Sequence, residues 1–292
     1  MEVMTGLIGF GEAGRTFVQA GDWVVGCRIY DSKTDRADTR AAKLADYAAA
    51  QADGRDTMAE IVIGADLLLS LVTADQALPA AEAAAADLSP GTFYYDMNSI
   101  APQTKLAAAR VIEAAGGHYV DVAVMAPVNP IRLAVPLLLS GAQAEAATEQ
   151  LAALGFTNIR VVGDSVGRAS SIKMIRSVMV KGLEALTAEC VLAAEAAGVR
   201  EEVIASLDDS EKPKPWDSHA DYNLDRMMVH GLRRAAEMEE VVKTLDGLGT
   251  GAEMTRGTVV RQRAIGGLGL DRPAEGLSAK IAQIELMRKQ NA

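Results

Sequence analysis

Short apolar runs alternate with alanine-rich stretches of mixed polarity through the first half of the chain. The runs at residues 3–8, 24–30, 67–72, 92–96, 118–124, 135–140 and 159–162 read as β-strands, and the stretches between them read as helices. Strands interleaved with helices imply crossover units and a mainly parallel sheet. Beyond Gly167 the pattern changes. Residues 169–197 read as one helix, free of proline and interrupted only by Gly182, and everything after it is helical or loop-like. At 1.5 Å per residue such a helix is ~43 Å long, more than a small domain needs. The change divides the chain into an α/β domain, residues 1–163, and an all-α domain, residues 164–292, joined by a long interdomain helix.

Three stretches punctuate the second half. Residues 208–222, with Pro213 and Pro215, read as a polar connection that cannot continue a helix and serves either as a surface linker or as a lid. Gly247, Gly249 and Gly251, and then Gly266, Gly267 and Gly269, read as helix breaks, and neither set follows a strand as a phosphate-binding loop would.

The chain has 292 residues, 49% of them hydrophobic, which is ample for one large or two ordinary cores. A formal charge of −10 argues against a general nucleic-acid surface, which depends on clustered Lys and Arg. Cys27 and Cys190 form neither a disulfide framework nor a metal spacing, and His118, His219 and His230 are scattered, so no metal site is expected. The first strand leaves no room for a signal peptide, and no apolar run reaches the ~18 residues that span a bilayer. A reducing cytoplasm, with no membrane partner, fits these features.

The most specific motif follows the first strand. Gly9, Gly11 and Gly14 form G-x-G-x-x-G together with Phe10, Glu12 and Ala13, and a helix-like stretch comes next. The first glycine suits a tight strand-to-helix turn, the second lets backbone N–H groups approach a pyrophosphate, and the third lets the helix pack closely. Asp31 ends the second apolar run twenty residues past Gly11, where a ribose-binding carboxylate is expected. Its charge favours NAD over NADP. Ser32 leans neither way, and Lys33 could still pair a 2′-phosphate, so NADP use stays open. Val72 and Thr73, at the end of another strand, would face the cofactor or form an ordinary strand-to-helix turn.

Three further clusters could carry chemistry. Asp96, Asn98, Ser99 and Pro102 close a strand, where Asn98 and Ser99 offer donors to a carboxylate or hydroxyl, while the same small polar residues could simply cap the helix headed by Pro102. Gly167, Ala169, Ser170, Ser171, Lys173, Arg176 and Ser177 open the long helix, and Lys173 and Ser177 share a face. A helical lysine is ordinarily solvated. The apolar neighbours Ile172, Met174 and Ile175 suggest a largely buried helix, which would pull the lysine pKa toward general-base range. His230, Arg233, Arg234 and Glu237 stand at helical spacings that suit an anion clamp or a surface ladder from Arg233 to Glu237.

Taken together, these residues resemble the β-hydroxyacid dehydrogenase family, whose members include 6-phosphogluconate and 3-hydroxyisobutyrate dehydrogenases. The resemblance covers most of the chain: the fingerprint, residues 96–102 as a D-x-S-T-x-x-P-type substrate motif, and residues 167–177 as a G-x-G-x-x-x-K-x-x-x-N signature. It implies a Rossmann-type nucleotide-binding domain followed by a helical substrate and dimerisation domain, hence a homodimer. It also implies Lys173 as the catalytic acid/base and Ser99 as a contact to a small hydroxy acid or its carbonyl counterpart; Asn98, Met125, Arg176, Ser177 and His230 are the further candidates for binding that substrate. Ala169 and Ser177 depart from the signature's second glycine and asparagine, and residues 121–128 replace the family's glycine-rich D-A-P-V-S-G-G segment. The departures resemble a branch with a divergent carboxy-terminal helical domain. Two alternatives are an imine reductase-like enzyme, against which Lys173 counts, and an NAD(P)-binding sensor without turnover.

Overall fold

The computed structural model describes residues 3–21, 23, 26–210, 215–270 and 272–290. Residues 1–178 and 179–292 each form a compact unit.

In the first unit, eight strands form one sheet: β1 (Thr5–Ile8), β2 (Cys27–Tyr30), β3 (Asp53–Gly54), β4 (Leu67–Ser70), β5 (Phe93–Asp96), β6 (His118–Val124), β7 (Leu137–Ser140) and β8 (Ile159–Gly163). Their order is β3-β2-β1-β4-β5-β6-β7-β8. Every described pair is parallel except β6 with β7. The chain runs outward from β1 to β3 and returns to place β4 on the other side of β1. The carboxyl ends of β1 and β4 therefore flank a topological switch point, where open α/β sheets bind ligands.

Helices α1 (Glu12–Gly21), α2 (Ala37–Ala49), α3 (Met58–Val62), α4 (Ala77–Ala85), α5 (Pro102–Ala114) and α6 (Ala144–Ala153) connect the strands. Successive strand residues point to opposite faces, so each strand feeds two cores. Leu67, Leu69 and Tyr95 join one with Phe10, Phe17 and Val120; Leu68 and Tyr94 join the other with Ile61, Ala81 and Ile112.

Two local expectations need correction. The strand expected at 24–30 begins at Cys27, with Gly26 in a turn and residues 24 and 25 outside the described residues; nearby, Trp23 turns inward and donates from its indole Nε1 to the Leu154 carbonyl at 2.9 Å. The edge strand β3 was not expected, since its two residues are exposed and carry no apolar signal.

The long helix α7 (Arg168–Ala196) runs unbroken through Gly182, where a Cβ would meet nothing within 4 Å among the described residues. Its start is not the largely buried face suggested by Ile172, Met174 and Ile175: Ile175 is 71% exposed. A helical apolar stripe reads the same in sequence whether its own chain or another surface covers it.

The second unit is helical, with α8 (Arg200–Ser210), α9 (Trp216–Leu248), α10 (Glu253–Gly266) and α11 (Leu277–Gln290). Asp208, Asp209 and Ser210 still belong to α8 and Trp216 opens α9, so the non-helical connection is shorter than 208–222; residues 211–214 lie outside the described residues. Both glycine clusters end helices. Gly249 closes α9 in the left-handed region, and Gly267 caps α10. Gly231 and Gly266 also let α9 and α10 touch, since a Cβ on Gly266 would stand 2.5 Å from the Leu232 nitrogen. Among the described residues no helix is long and apolar enough to cross a membrane.

Candidate functional site

The turn after β1 is held by its own backbone. Gly9 has φ +93° and donates to the Tyr30 carbonyl at 2.8 Å, and a Cβ there would stand 2.4 Å from the Leu71 carbonyl oxygen. A Cβ on Gly14 would stand 2.5 Å from the Gly9 carbonyl oxygen. The fold alone therefore explains both glycines. Gly11 is different: among the described residues nothing lies within 4 Å of where its Cβ would be. The open space at Gly11 lies directly before the first turn of α1, whose early N–H groups have no intrahelical acceptors. This arrangement fits an anionic group such as a pyrophosphate passing over the backbone.

Between the two flanking glycine turns, Phe10 is gripped on both sides. Its N–H donates to Asp31 Oδ2 at 2.9 Å, and its carbonyl accepts from the buried Lys43 Nζ at 2.9 Å. Asp31 Oδ1 accepts from the Lys33 N–H at 3.0 Å, and Lys43 Nζ stands 3.6 Å from Oδ2. Asp31 is thus oriented by the fingerprint loop itself, with lone pairs remaining for a diol, while Ser32 and Lys33 are exposed beside it. Glu12, the first residue of α1, accepts from Asn129 Nδ2 at 3.2 Å.

A cavity of about 420 Å³ opens at the carboxyl ends of β4 and β5. It brings together Ala13, Val72, Thr73, Asn98, Ser99 and Lys173, and its remaining walls, from Leu71, Ala74, Met97, Val124, Ala126, Pro127 and Val128, are mostly apolar. Asn98 is braced: its Oδ1 accepts from the Val72 N–H at 2.6 Å and its Nδ2 donates to Ser70 Oγ at 3.0 Å. Ser99 does not cap the next helix. The residue before Pro102 is Ala101, which makes no side-chain cap bond, so the Ser99 hydroxyl is exposed toward the cavity. Lys173 Nζ donates to Ser99 Oγ at 2.6 Å across 74 residues of sequence.

Among the described residues of the first unit, three others singled out in the sequence do not line this cavity. Ser177 Oγ donates to the Lys173 carbonyl one turn back at 2.9 Å, Arg176 is exposed, and Met125 packs with Ala123, Leu138 and Ala169. His230 lies half-buried on α9 in the second unit, and the side chain of Glu237 lies outside the described residues.

Sequence reasoning missed a charged network beneath the cavity. Lys105 Nζ donates to Asp96 Oδ1 at 2.9 Å and stands 3.4 Å from Asp121 Oδ1, with all three side chains at 0% exposure. Tyr119 donates its hydroxyl to Asp96 Oδ2 at 2.6 Å; burial and that carboxylate hold its pKa well above the usual phenol value. A signal existed. Lys105 heads the stripe Lys105, Ala108, Ala109 and Ile112, the i, i+3, i+4, i+7 face that a helix buries.

Residues 5–163, more than half of the chain, match the family described as the NAD binding domain of 6-phosphogluconate dehydrogenase. The chain belongs to this family. Residues 194–265 match a domain of unknown function, DUF1932. A conserved hypothetical protein from Sinorhizobium meliloti 1021 is 34% identical, with a TM-score of 0.60 over 99% of this chain and 97% of its own. A conserved protein of unknown function, structurally similar to 3-hydroxyacid dehydrogenases, is 26% identical, with a TM-score of 0.56 over 99% of each chain. The imine reductase of Myxococcus stipitatus, in complex with NADP+, is 16% identical and shares the fold at a TM-score of 0.71 over 97% of this chain and 99% of its own. The first unit is therefore an NAD(P)-binding domain in a family of oxidoreductases.

Proposed function

We propose that this protein interconverts a small hydroxy acid and its carbonyl counterpart with a nicotinamide cofactor, and that Lys173 is the general acid/base. The observation that carries the reading is the 2.6 Å contact between Lys173 Nζ and Ser99 Oγ on the cavity that Ala13, at the start of α1, also lines. The backbone of Gly9 to Gly14 would hold the pyrophosphate and Asp31 the adenosine ribose, with Ser32 and Lys33 beside it. Val72, Thr73 and Asn98 would border the nicotinamide. Because Asp31 presents a carboxylate to the ribose, NAD is preferred to NADP. Bound there, the cofactor supplies a hydride acceptor in one direction and a donor in the other.

The chain's own groups handle the proton and the orientation. In oxidation, the neutral Nζ of Lys173 accepts the substrate hydroxyl proton; in reduction, its ammonium returns it. Ser99 Oγ, within hydrogen-bond reach of Nζ, orients the substrate oxygen. Asn98 has one amide hydrogen beyond its bond to Ser70, which serves the substrate carboxylate together with Ser99. General acid/base help of this kind contributes ~10²- to 10⁴-fold.

Purified protein incubated with a panel of hydroxy acids and each oxidised cofactor, followed by reduced-nicotinamide absorbance, tests the reading; turnover of at least one acid is expected. The apolar walls at Met97, Val124, Ala126, Pro127 and Val128 favour one second reading, reduction of an apolar imine. A parallel panel of amines and cyclic imines separates the two, and cofactor binding without any turnover would favour a sensor.

A homodimer through the helical half accompanies this proposal. Met179, Leu183 and Leu186 on α7, at i, i+4 and i+7, are 46%, 45% and 45% exposed, an apolar stripe suited to a second copy. A sedimentation mass of twice 30.7 kDa is expected, and a mass of 30.7 kDa at micromolar concentration would refute it. A cytoplasmic location belongs to the same proposal, supported by the two free cysteines, Cys27 and Cys190.

A further inference from the structure

Asp96, Lys105 and Asp121 place two carboxylates and one ammonium where no water reaches them. Such a group is seldom a route to stability, because desolvation offsets the attraction between the charges. Its connections suggest another role. Asp121 Oδ2 receives the backbone N–H of Gly167 at 3.0 Å and of Ser170 at 3.1 Å, and the Ser140 hydroxyl at 3.2 Å. The Ser170 hydroxyl is 3.0 Å away, and Ser140 Oγ in turn accepts from the Ala169 N–H at 3.0 Å. Three N–H donors at the start of α7, those of Gly167, Ala169 and Ser170, thus end on one carboxylate and one serine of the sheet, where the positive end of the helix dipole meets a negative charge, while the Arg168 N–H bonds to the Ser165 carbonyl. Lys173 follows one turn later. On the opposite side, Lys105 ties Asp121 to Asp96, and Asp96 Oδ1 accepts from the Asn98 N–H at 3.0 Å, fixing the backbone that leads into Ser99.

We propose that Asp121 is a positioning residue: its carboxylate, midway along β6 and level with the last residues of β5 and β7, seats the start of α7 on the sheet and thereby sets the distance between Lys173 Nζ and Ser99 Oγ. The functional consequence rests on the reading of Lys173 as the acid/base, but the geometric claim is testable without any substrate. Full-length protein is treated with limiting acetic anhydride across a range of pH, and acetylation of individual lysines is quantified by peptide mass spectrometry. The exposed Lys33 and Lys289 serve as references. Asp121→Asn is expected to raise the rate at Lys173 relative to both references by about fivefold or more and to move the pH profile of Lys173 alone. Ser140→Ala, which removes one hydroxyl from the same junction, is expected to do so by about two- to threefold and decides the matter if Asp121→Asn does not fold. A merely structural role would instead raise labelling at the buried Lys43 and Lys280, which lie outside this network, together with Lys173. That result, or an unchanged relative rate and profile at Lys173, would overturn the inference. Turnover of Lys173→Ala is measured separately, so failure of the acid/base reading leaves the labelling result standing.

Discussion

The fingerprint loop and the Lys173–Ser99 pair lie at the same edge of one sheet and are built in opposite ways. The loop is local and finished. Gly9 bonds to Tyr30, Phe10 is held by Asp31 and Lys43, and only the space at Gly11 is left open. The pair joins residues 74 positions apart, through an exposed hydroxyl and a half-buried amine at an open cavity. The loop is a preformed binding surface, whereas the pair is a reactive group whose position depends on how a helix is seated. Binding and proton transfer should therefore be separable by mutation.

The largest effect is expected inside the loop itself. Gly9→Ala forces a Cβ to 2.4 Å from a carbonyl oxygen at a left-handed φ, and should cost ~2–4 kcal/mol in denaturant unfolding and abolish cofactor binding. Gly11→Ala, only two residues on, should leave the unfolding midpoint unchanged and weaken cofactor binding about tenfold, or ~1.4 kcal/mol by calorimetry. Unchanged cofactor affinity in Gly11→Ala would place the pyrophosphate elsewhere.

Ser99→Ala should lower kcat about 10²-fold, at the low end of the range for acid/base assistance, while the cofactor Kd stays within twofold. A rise in cofactor Kd with constant kcat would assign Ser99 to the binding surface instead. Asp31→Ala should narrow the preference for NAD over NADP about tenfold. It should also cost ~1–3 kcal/mol, because the Phe10 and Lys33 N–H groups lose their acceptor. Tighter binding of NADP than NAD by the unmodified protein would refute the assigned preference.

The smallest effect lies outside both regions. Glu189 accepts from the Met254 and Thr255 N–H groups and so caps α10, whose own N-cap residue is alanine. Burial pushes its carboxyl up, but the Thr255 hydroxyl and these two N–H groups outweigh it and hold the pKa below the usual carboxylate value. A depressed folded-state pKa contributes stability above the unfolded value of about 4.3 that is lost as pH falls through the folded value. Glu189→Gln should therefore lower Tm by ~2–4 °C at pH 7, with the gap closing below about pH 4. A gap independent of pH would mean that the charge contributes nothing.

The apolar runs made seven of the eight strands legible, and the glycine spacing located the nucleotide loop. Lys173 and Ser99 each stood out within its own cluster, but their joint assignment to one site came from family resemblance, since a lysine and a serine on separate elements carry no spacing signal that pairs them. The two-residue β3 was invisible because its pairing is made by backbone alone. Lys105 and Asp121 were hidden for a different reason: a charge looks solvated in sequence unless the stripe it belongs to is traced to its end. The role of Asn98 as a brace was equally illegible, since an amide that holds two strand ends and one that grips a ligand are the same residue.

The central claim is that Lys173 Nζ moves the substrate proton while the nucleotide loop binds independently. The direct measurement is kcat for Lys173→Ala on a substrate found by the panel, with cofactor Kd determined by calorimetry on the same preparation. A fall in kcat of ~10²- to 10⁴-fold with Kd within twofold of the unmodified protein is predicted. Normal turnover in Lys173→Ala would contradict the account.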